Sequence, residues 1–342
     1  GTVAAADGLQ VRVLSSRPDM VTGNDALVRV DLPAGTTPRD VHVMVNGKDQ
    51  TANLKEDPGG RSLTGLVSGL VLGANTVTAT GAGKASARVA LVNHPVTGPL
   101  FAGPQEQPFV CMTEAFKTVG GATLGKPLDA NCSIATRIDY VYRSTTDTKA
   151  FKPLADPKTV PADVEMITRD GRTVPFIVRV ETGTINRGIY ETVVLHNPGA
   201  EPAPDFATRP ASWNGRLIYT FGGGCEPGWY QQGDSTGGVD DDVMLRLGYA
   251  VASNTLNVAG NDCNDLISAE TMAMTKEHFI EAYGPPAFTI GWGSSGGSIQ
   301  QVQTADNYPG LLDGLMTGRS FADVAFSSST SSGEGRLFEH YF

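Results

Sequence analysis

The residues best suited to chemistry in this sequence form a Gly-x-Ser-x-Gly pattern centred on Ser295. An apolar run at residues 288–292 precedes it, and residues 298–307 after it have the pattern of a helix. A strand that turns sharply into a helix exposes a serine hydroxyl at the sheet edge, and Gly293 and Gly297 would permit so tight a turn. The pattern predicts a hydrolase-type serine nucleophile. The alternative is a glycine-rich turn with an uninvolved serine.

Three consecutive glycines, residues 222–224, follow an apolar run that predicts a buried strand. We call them the triple-glycine loop. Acyl transfer builds negative charge on a carbonyl oxygen, which backbone N–H groups can stabilise if nothing blocks their approach. One expected donor is the N–H of Gly296, directly after the serine, and Gly223 and Gly224 would supply the other. The alternative is a mobile turn that closes the strand.

Length and composition indicate a soluble globular protein of two domains, because 342 residues exceed a typical single domain, and 40% of them are apolar. The net charge of -10 and the absence of basic runs argue against nucleic acid and anionic membranes as partners. No apolar stretch is long enough to span a bilayer. The chain begins at Gly1 without a basic and apolar leader, so we expect any secretion signal to have been removed or omitted.

The four cysteines form two sequence neighbourhoods, which predict the disulfides Cys111–Cys132 and Cys225–Cys263. Four cysteines allow three connectivities, and the sequence alone does not choose among them. A zinc site is disfavoured because the cysteines lack ligand spacing, so no metal or cofactor is expected. An even cysteine count in a chain rich in Thr, Ser and Gly suits a secreted or periplasmic protein.

Residues 1–93 alternate apolar with polar or small residues between turn-rich stretches, which predicts a small all-β sandwich of the immunoglobulin type. Residues 94–108 are rich in Pro and Gly and are expected to form a linker. From residue 109 to 342, strand and helix patterns alternate, which predicts an α/β fold with a mostly parallel sheet after a leading antiparallel portion. Strands are expected at 138–143, 174–180, 191–196, 216–221, 249–253, 288–292 and 311–317, and helices at 241–247, 269–283 and 298–307.

A series of short motifs between residues 212 and 323 resembles the tannase and feruloyl esterase family of α/β-hydrolases. The resemblance implies ester hydrolysis through an acyl-enzyme on Ser295. That family usually has a cysteine immediately before the nucleophile, disulfide-bonded beside the catalytic histidine, whereas this chain has Ser294. The difference favours a divergent, uncharacterised bacterial secreted branch. The motifs are Trp213-Asn214-Gly215-Arg216, Gly222-Gly223, Leu247-Gly248-Tyr249-Ala250-Val251-Ala252-Ser253, His278, Tyr283-Gly284, Gly293-Ser294-Ser295-Gly296-Gly297, Tyr308-Pro309 and Asp313-Gly314.

The acid and histidine of a triad should follow the serine in this fold. His340 is the only histidine after Ser295, and too few residues separate them for the remaining strands of the sheet. We therefore expect the hydrolase sheet to be incomplete here, with Asp and His on a second polypeptide or on a missing C-terminal segment. The resemblance implies proteolytic processing, for which the flexible composition of residues 327–335 is suited. The alternative is that His340 itself is the base.

Other residues are weaker candidates for a functional site. Trp229 and Tyr230 follow the triple-glycine loop and could line the acyl or alcohol pocket, or simply pack in the core. His278 is expected to have a helix-packing or surface role rather than a catalytic one. The acidic residues 240–242 are expected to lie at a helix start rather than to bind calcium. The predicted function is hydrolysis of a small-molecule or polymeric ester. The alternatives are an inactive exported binding protein and an amidase or polymer depolymerase with the same serine machinery.

Overall fold

The computed structural model describes residues 8–81, 85–169, 171–225, 231–320 and 337–341. Its helices are α1 (Asp242–Arg246), α2 (Asp265–Tyr283) and α3 (Gly296–Asn307). Its strands are β1 (Gln10–Val13), β2 (Val21–Thr22), β3 (Asp25–Asp31), β4 (His42–Val45), β5 (Lys48–Asp49), β6 (Leu54–Glu56), β7 (Ser62–Ser68), β8 (Gly73–Thr80), β9 (Ser86–His94), β10 (Arg137–Tyr142), β11 (Lys152–Pro153), β12 (Met166–Arg169), β13 (Arg172–Pro175), β14 (Ile177–Ile185), β15 (Gly188–Leu195), β16 (Leu217–Phe221), β17 (Ala250–Asn254), β18 (Thr289–Ser294) and β19 (Gly314–Gly318).

The first nine strands form two sheets around one apolar core. One sheet has the order β1-β3-β7-β6 and the other β2-β9-β8-β4-β5. Alternate side chains of both sheets are buried in a single cluster, as the period-2 pattern predicts. The cluster includes Val28, Val30, Leu63 and Val67 from the first sheet and Val43, Val45, Val77 and Leu91 from the second.

The larger sheet has eight strands in the order β11-β10-β14-β15-β17-β16-β18-β19. Its pairings from β11 to β17 are antiparallel, and only β17, β16, β18 and β19 are parallel. The expectation of a mostly parallel sheet is therefore corrected to a mixed sheet, whereas the leading antiparallel portion is confirmed. The hairpin of β14 and β15 turns in two residues, Asn186 and Arg187, both at positive φ, so the strands stay paired up to the turn.

Helices cover both faces of the parallel half. Ile218 and Val251 share a cluster with Met244 and Leu245 of α1, on one face. The neighbouring strand residues point the other way, and Leu217, Tyr219 and Ala252 join a cluster with Met272 and Phe279 of α2. This alternation explains why β16 and β17 read as continuous apolar runs: they are buried on both faces.

Two predicted strands have different bounds in the structure. Residues 174–180 do not form one strand, because Pro175 closes β13 and the N–H of Phe176 donates to Glu165 O at 2.7 Å before β14 begins. The final strand begins at Gly314 rather than near residue 311. Asp313 accounts for the shift, since its N–H donates to Thr289 O and its carboxylate accepts from Thr289 N–H, both at 2.8 Å.

Both predicted disulfides are present. Cys111 is bonded to Cys132, with Cα atoms 5.2 Å apart, and Cys225 to Cys263, with Cα atoms 5.0 Å apart. The second disulfide joins the residue after the triple-glycine loop to the segment before α2, so it constrains the loop from its C-terminal side. No helix in the described part of the chain is long and apolar enough to cross a membrane.

The first nine strands contact the rest of the chain through α2. Glu277 of α2 is buried, and its carboxylate accepts hydrogen bonds from the N–H of Thr22 at 3.1 Å and from the Thr22 hydroxyl at 2.5 Å. Burial raises the pKa of Glu277 to about 8, although the hydrogen bonds from Thr22 oppose the shift. Burial and the neighbouring carboxyl groups of Glu277 and Asp25 also raise the pKa of Glu281, one turn further along α2.

Because the pKa values of Glu277 and Glu281 are raised in the folded protein, we predict that thermal stability falls as pH rises from 5 to 8. A carboxyl group with a raised pKa in the folded state holds its proton while the unfolded chain releases it near the ordinary value of 4.5. The stabilisation that Glu277 contributes to the folded state is complete below pH 4.5 and is lost as pH rises through about 8. We expect Tm to fall by roughly 5 °C over this range. Glu277→Gln should make the fall smaller without abolishing it, because burial also raises the pKa of Glu281, Glu191 and Asp262. Scanning calorimetry measures both.

The exposed control Glu114→Gln should leave the slope of Tm against pH unchanged. An equal slope in both variants would refute the assignment of this pH dependence to Glu277.

Candidate active site

Ser295 lies at the junction of β18 and α3, as the sequence predicts. Its backbone has φ 59° and ψ -122°, in a region that a residue with a side chain rarely adopts. The strain is held in place because Ser295 N–H donates to Gly318 O of β19 at 2.9 Å, while Ser295 O accepts from Ser298 N–H at 2.9 Å. The side chain is half-buried. A sharp strand-to-helix turn with a serine at positive φ is the geometry that presents a hydroxyl above the end of a sheet.

The triple-glycine loop lies beside this turn because β16 and β18 are direct neighbours. Their register pairs Phe221 with Gly293, so the residues that follow each strand meet at the same edge. A Cβ built on Gly223 would lie 3.6 Å from Ser295 Cβ and 3.3 Å from Ser294 O. The structure therefore brings Gly223 and Ser295 together.

Backbone contacts leave three N–H groups of this site available. The loop is fixed through its carbonyls: Gly222 O accepts from Ala259 N–H at 3.2 Å, and Gly223 O accepts from Gly260 N–H at 2.8 Å. Within the described ranges, the N–H groups of Gly223, Gly224 and Gly296 donate to no protein acceptor. N–H groups at the start of a helix and in a rigid glycine loop are well suited to bind an oxyanion.

Glycine is required at the contact between the loop and the helix. A Cβ on Gly296 would overlap Gly224 O and lie 2.9 Å from Ala259 Cβ, and one on Gly297 would overlap Phe221 O. Glycine is therefore needed at the first two positions of α3 because the helix backbone lies very close to the backbone of the triple-glycine loop and of β16. The tightness of the turn is not the only reason.

Three buried amide side chains brace the site, and the sequence interpretation missed them. Gln300 of α3 donates to Gly222 O at 3.0 Å, and Gln301 donates to Gly293 O at 3.2 Å and to Gly297 O at 2.9 Å. Asn257 donates to Ser268 O at 2.7 Å, so it ties the segment beside the loop to α2. Consecutive glutamines on the sheet-facing side of a helix that starts at a nucleophile turn are the signal that could have identified this bracing.

None of the described histidines contacts Ser295. His196 is buried and bonded to Tyr140 Oη at 3.0 Å and to Pro202 O at 2.9 Å, which is a structural role. His94 contacts Asp19 O at 3.0 Å. His340 lies in the helical segment at residues 337–341, exposed and in ring contact with Tyr341.

His278 is partly exposed and belongs to a polar network between α2 and the neighbouring strands. Its Nε2 lies 2.6 Å from Glu181 Oε1 and 3.0 Å from Tyr190 Oη. Burial acts to raise the pKa of Glu181, but hydrogen bonds and charge from His278 and Arg179 outweigh it and hold the pKa at about 2. The network joins β14, β15 and α2, so the packing role of His278 is accompanied by polar contacts with Glu181 and Tyr190.

The other candidates are placed as follows. Trp229 and Tyr230, the expected pocket wall, lie outside the described residues. Asp241 caps α1, since its carboxylate accepts from Met244 N–H at 2.9 Å, which matches the expected helix-start role of the acidic run. Among the described residues, no group of three or more His, Cys, Asp or Glu side chains is arranged to hold a metal ion.

Comparisons with known proteins give a family match over nearly the whole chain. Residues 11–342 match the tannase-like family of unknown function (DUF6351). No curated protein matches. Among solved structures, tannin acyl hydrolase from Aspergillus niger is 11% identical with a TM-score of 0.28, covering 55% of this chain and 32% of that one. The N-terminal eight immunoglobulin domains of Down Syndrome Cell Adhesion Molecule are 12% identical with a TM-score of 0.17, covering 73% and 33%. This chain thus spans about a third of each structure's length. The family match shows that the chain belongs to the tannase-like family of unknown function.

Proposed function

We propose that this protein is a secreted serine hydrolase that cleaves carboxylic esters through an acyl-enzyme on Ser295. The observation that carries the proposal is the strained Ser295 turn beside the triple-glycine loop, with the N–H groups of Gly223, Gly224 and Gly296 without protein acceptors in the described structure. Membership of a tannase-like family supports an ester as the substrate, either a small molecule or a polymer.

In the proposed reaction, Ser295 Oγ attacks the ester carbonyl carbon while a histidine takes the hydroxyl proton. The tetrahedral oxyanion accepts hydrogen bonds from Gly296 N–H and from the triple-glycine loop. The histidine then gives the proton to the departing alcohol, and the acyl group remains on Ser295. Water, deprotonated by the same histidine, attacks the acyl-enzyme and releases the carboxylic acid and the free serine.

The proposed fold is an α/β-hydrolase domain preceded by an immunoglobulin-like sandwich, with residues 1–93 as the sandwich, 94–108 as the linker and 109–342 as part of the hydrolase domain. The hydrolase assignment is supported by the strand–turn–helix at Ser295 and by the loop after the neighbouring strand β16. The sandwich assignment is supported by strand order. The sheets β1-β3-β7-β6 and β9-β8-β4 correspond in sequence order to ABED and GFC of the immunoglobulin fold.

We further propose that a second polypeptide, or a segment of the same precursor released by processing, completes the hydrolase domain and supplies the acid and histidine. The edge strand β19 supports this, since β18 is its one partner in the described sheet. Leu315 and Met316 point to opposite faces of β19 and are 39% and 53% exposed, and Trp292 of β18 is 39% exposed. An added parallel strand would cover this edge and bring its C-terminal loop to Ser295. The disulfides suit a secreted or periplasmic protein.

The proposal is tested by labelling with a fluorophosphonate, which reacts with activated serines. The full product of the gene, with all its mature polypeptides, should be modified at Ser295, as located by peptide mass spectrometry. Ser294→Ala, which removes the adjacent exposed hydroxyl, should label at the wild-type rate, and heat-denatured protein should not label. Absence of labelling in the folded, complete protein would reject the acyl-enzyme and favour the inactive binding protein.

A further inference from the structure

A small cavity lies between the β14–β15 turn and the start of α2. Arg187, Asp262 and Glu270 line it, together with the chain at residues 102–105. The centre of a water molecule can occupy about 20 Å³ of it, which is room for one water.

Three polar atoms of this cavity are buried without a hydrogen-bond partner of normal geometry: Arg187 Nε and both carboxyl oxygens of Asp262. Arg187 is 3% exposed and Asp262 is 1% exposed. The two side chains form no direct ion pair in the described structure, although the charge of Arg187 lowers the pKa of Asp262 against the larger effect of burial, which raises it to about 8. Asn264 N–H also lies near enough to favour the ionised carboxyl group. Unpaired buried groups of this kind are costly, and a water needs two to four such partners.

Glu270, by contrast, is fully engaged. Its Oε2 accepts from the N–H groups of Leu100, Phe101 and Ala102, and its Oε1 accepts from Asn186 at 2.9 Å. The Arg187 guanidinium is also fixed in place, since it donates to Glu106 O at 3.1 Å and lies 3.8 Å above the Phe109 ring. The two acidic groups disfavour a simple anion in the cavity, and the guanidinium disfavours a metal cation.

Asp262 is placed to affect the proposed oxyanion site. It follows Gly260, whose N–H holds Gly223 O, by two residues, and it precedes Cys263, whose disulfide fixes Cys225 after the triple-glycine loop. A shift of residues 258–263 would therefore move the Gly223 and Gly224 N–H groups.

We propose that one buried water occupies this cavity, accepts a hydrogen bond from Arg187 Nε and donates to the Asp262 carboxyl group, so that Arg187 and Asp262 act as positioning residues for the triple-glycine loop. The water links the β14–β15 turn to residues 258–263. The water site stands independently of any activity. The positioning role rests on the proposed function.

The water is tested by a crystal structure of the complete protein at high resolution. We expect one ordered water within hydrogen-bond distance of Arg187 Nε and an Asp262 oxygen, and its loss in Asp262→Leu, which removes the carboxyl group that holds the water. A direct Arg187–Asp262 contact, or an empty cavity, would overturn the proposal. Asp262→Asn, which keeps polar atoms at this position, provides a second variant if Asp262→Leu does not fold.

The positioning role is tested by kinetics on a matched ester and thionoester, because sulfur fits an oxyanion site poorly and the rate ratio reports its geometry. Asp262→Leu should lower kcat roughly 10- to 100-fold, with KM within about twofold and a changed oxygen-to-sulfur ratio, and Asp262→Asn should recover most of the rate. The control Glu106→Gln removes an exposed charge near Arg187 and should match wild type. Unchanged kcat in Asp262→Leu would refute the role. Absence of hydrolysis in wild type would instead reject the proposed function, and the crystallographic result would still stand.

Discussion

Ser295→Ala is expected to lower kcat for an activated carboxylic ester by roughly 10⁴- to 10⁶-fold in the complete protein. The reason is that the acyl-enzyme route needs an oxygen nucleophile at the one position where the backbone is strained to present it, at φ 59°. The oxyanion donors would remain in the variant, so a residual rate above that of water is expected, with substrate affinity little changed. Steady-state hydrolysis of a 4-nitrophenyl ester measures both parameters.

The matched control for this experiment is Ser294→Ala, which removes a hydroxyl one residue earlier, on exposed β18 backbone without the strain. It should retain the wild-type kcat within about threefold. Equal loss in both variants would mean that the turn as a whole, rather than the Ser295 hydroxyl, matters. If Ser295→Ala keeps full activity, the nucleophile lies elsewhere and the proposed mechanism is wrong.

Gly296→Ala is expected to lower kcat by at least about 100-fold and to destabilise the fold by roughly 1–3 kcal/mol. The added methyl group would overlap Gly224 O and approach Ala259 Cβ. Neither neighbour can move freely, because Gly223 O is bonded to Gly260 N–H and Cys225 is disulfide-bonded. The backbones of α3 and the triple-glycine loop must separate, and this separates the oxyanion donors. Ester kinetics and thermal unfolding measure the two effects.

Gly223→Ala provides a graded comparison. Its Cβ would meet nothing closer than Ser294 O at 3.3 Å, so the loss of stability should be clearly smaller than in Gly296→Ala. Gly8→Ala has open space around the new methyl group and should be neutral. The explanation by steric overlap fails if the three variants unfold at the same temperature.

Sequence signals of short range predicted the strand-to-helix turn at Ser295, which the structure contains. The apolar run, the flanking glycines and the helical pattern after Ser295 lie within about 20 residues, and each specifies its own backbone geometry. The start of α2 is another local case, since Asn264 caps it by accepting from Ile267 N–H at 3.1 Å, although the sequence pattern placed the start four residues later. The two disulfides were also predicted from neighbourhood alone.

Strand direction was only partly determined by the sequence. A strand buried on both faces, such as β16, has the same burial pattern whether it pairs in parallel or antiparallel fashion, so alternation with helices after the leading antiparallel portion led to the expectation of a mostly parallel sheet. The break at Pro175 was visible in the sequence as a missing N–H, but the new partner of Phe176, Glu165 O, depends on the hairpin of β12 and β13.

The sequence by itself determined two elements of the proposed site: a serine at a strand-to-helix turn and a triple-glycine loop after an earlier strand. Only the tertiary structure decided what holds them together: the contact of Gly224 with Gly296, the bracing by Gln300 and Gln301, and the Glu277–Thr22 hydrogen bonds across 255 residues. Local propensity acts within a few residues, whereas close approach of backbones and burial of polar groups depend on which distant segments the sheet makes neighbours.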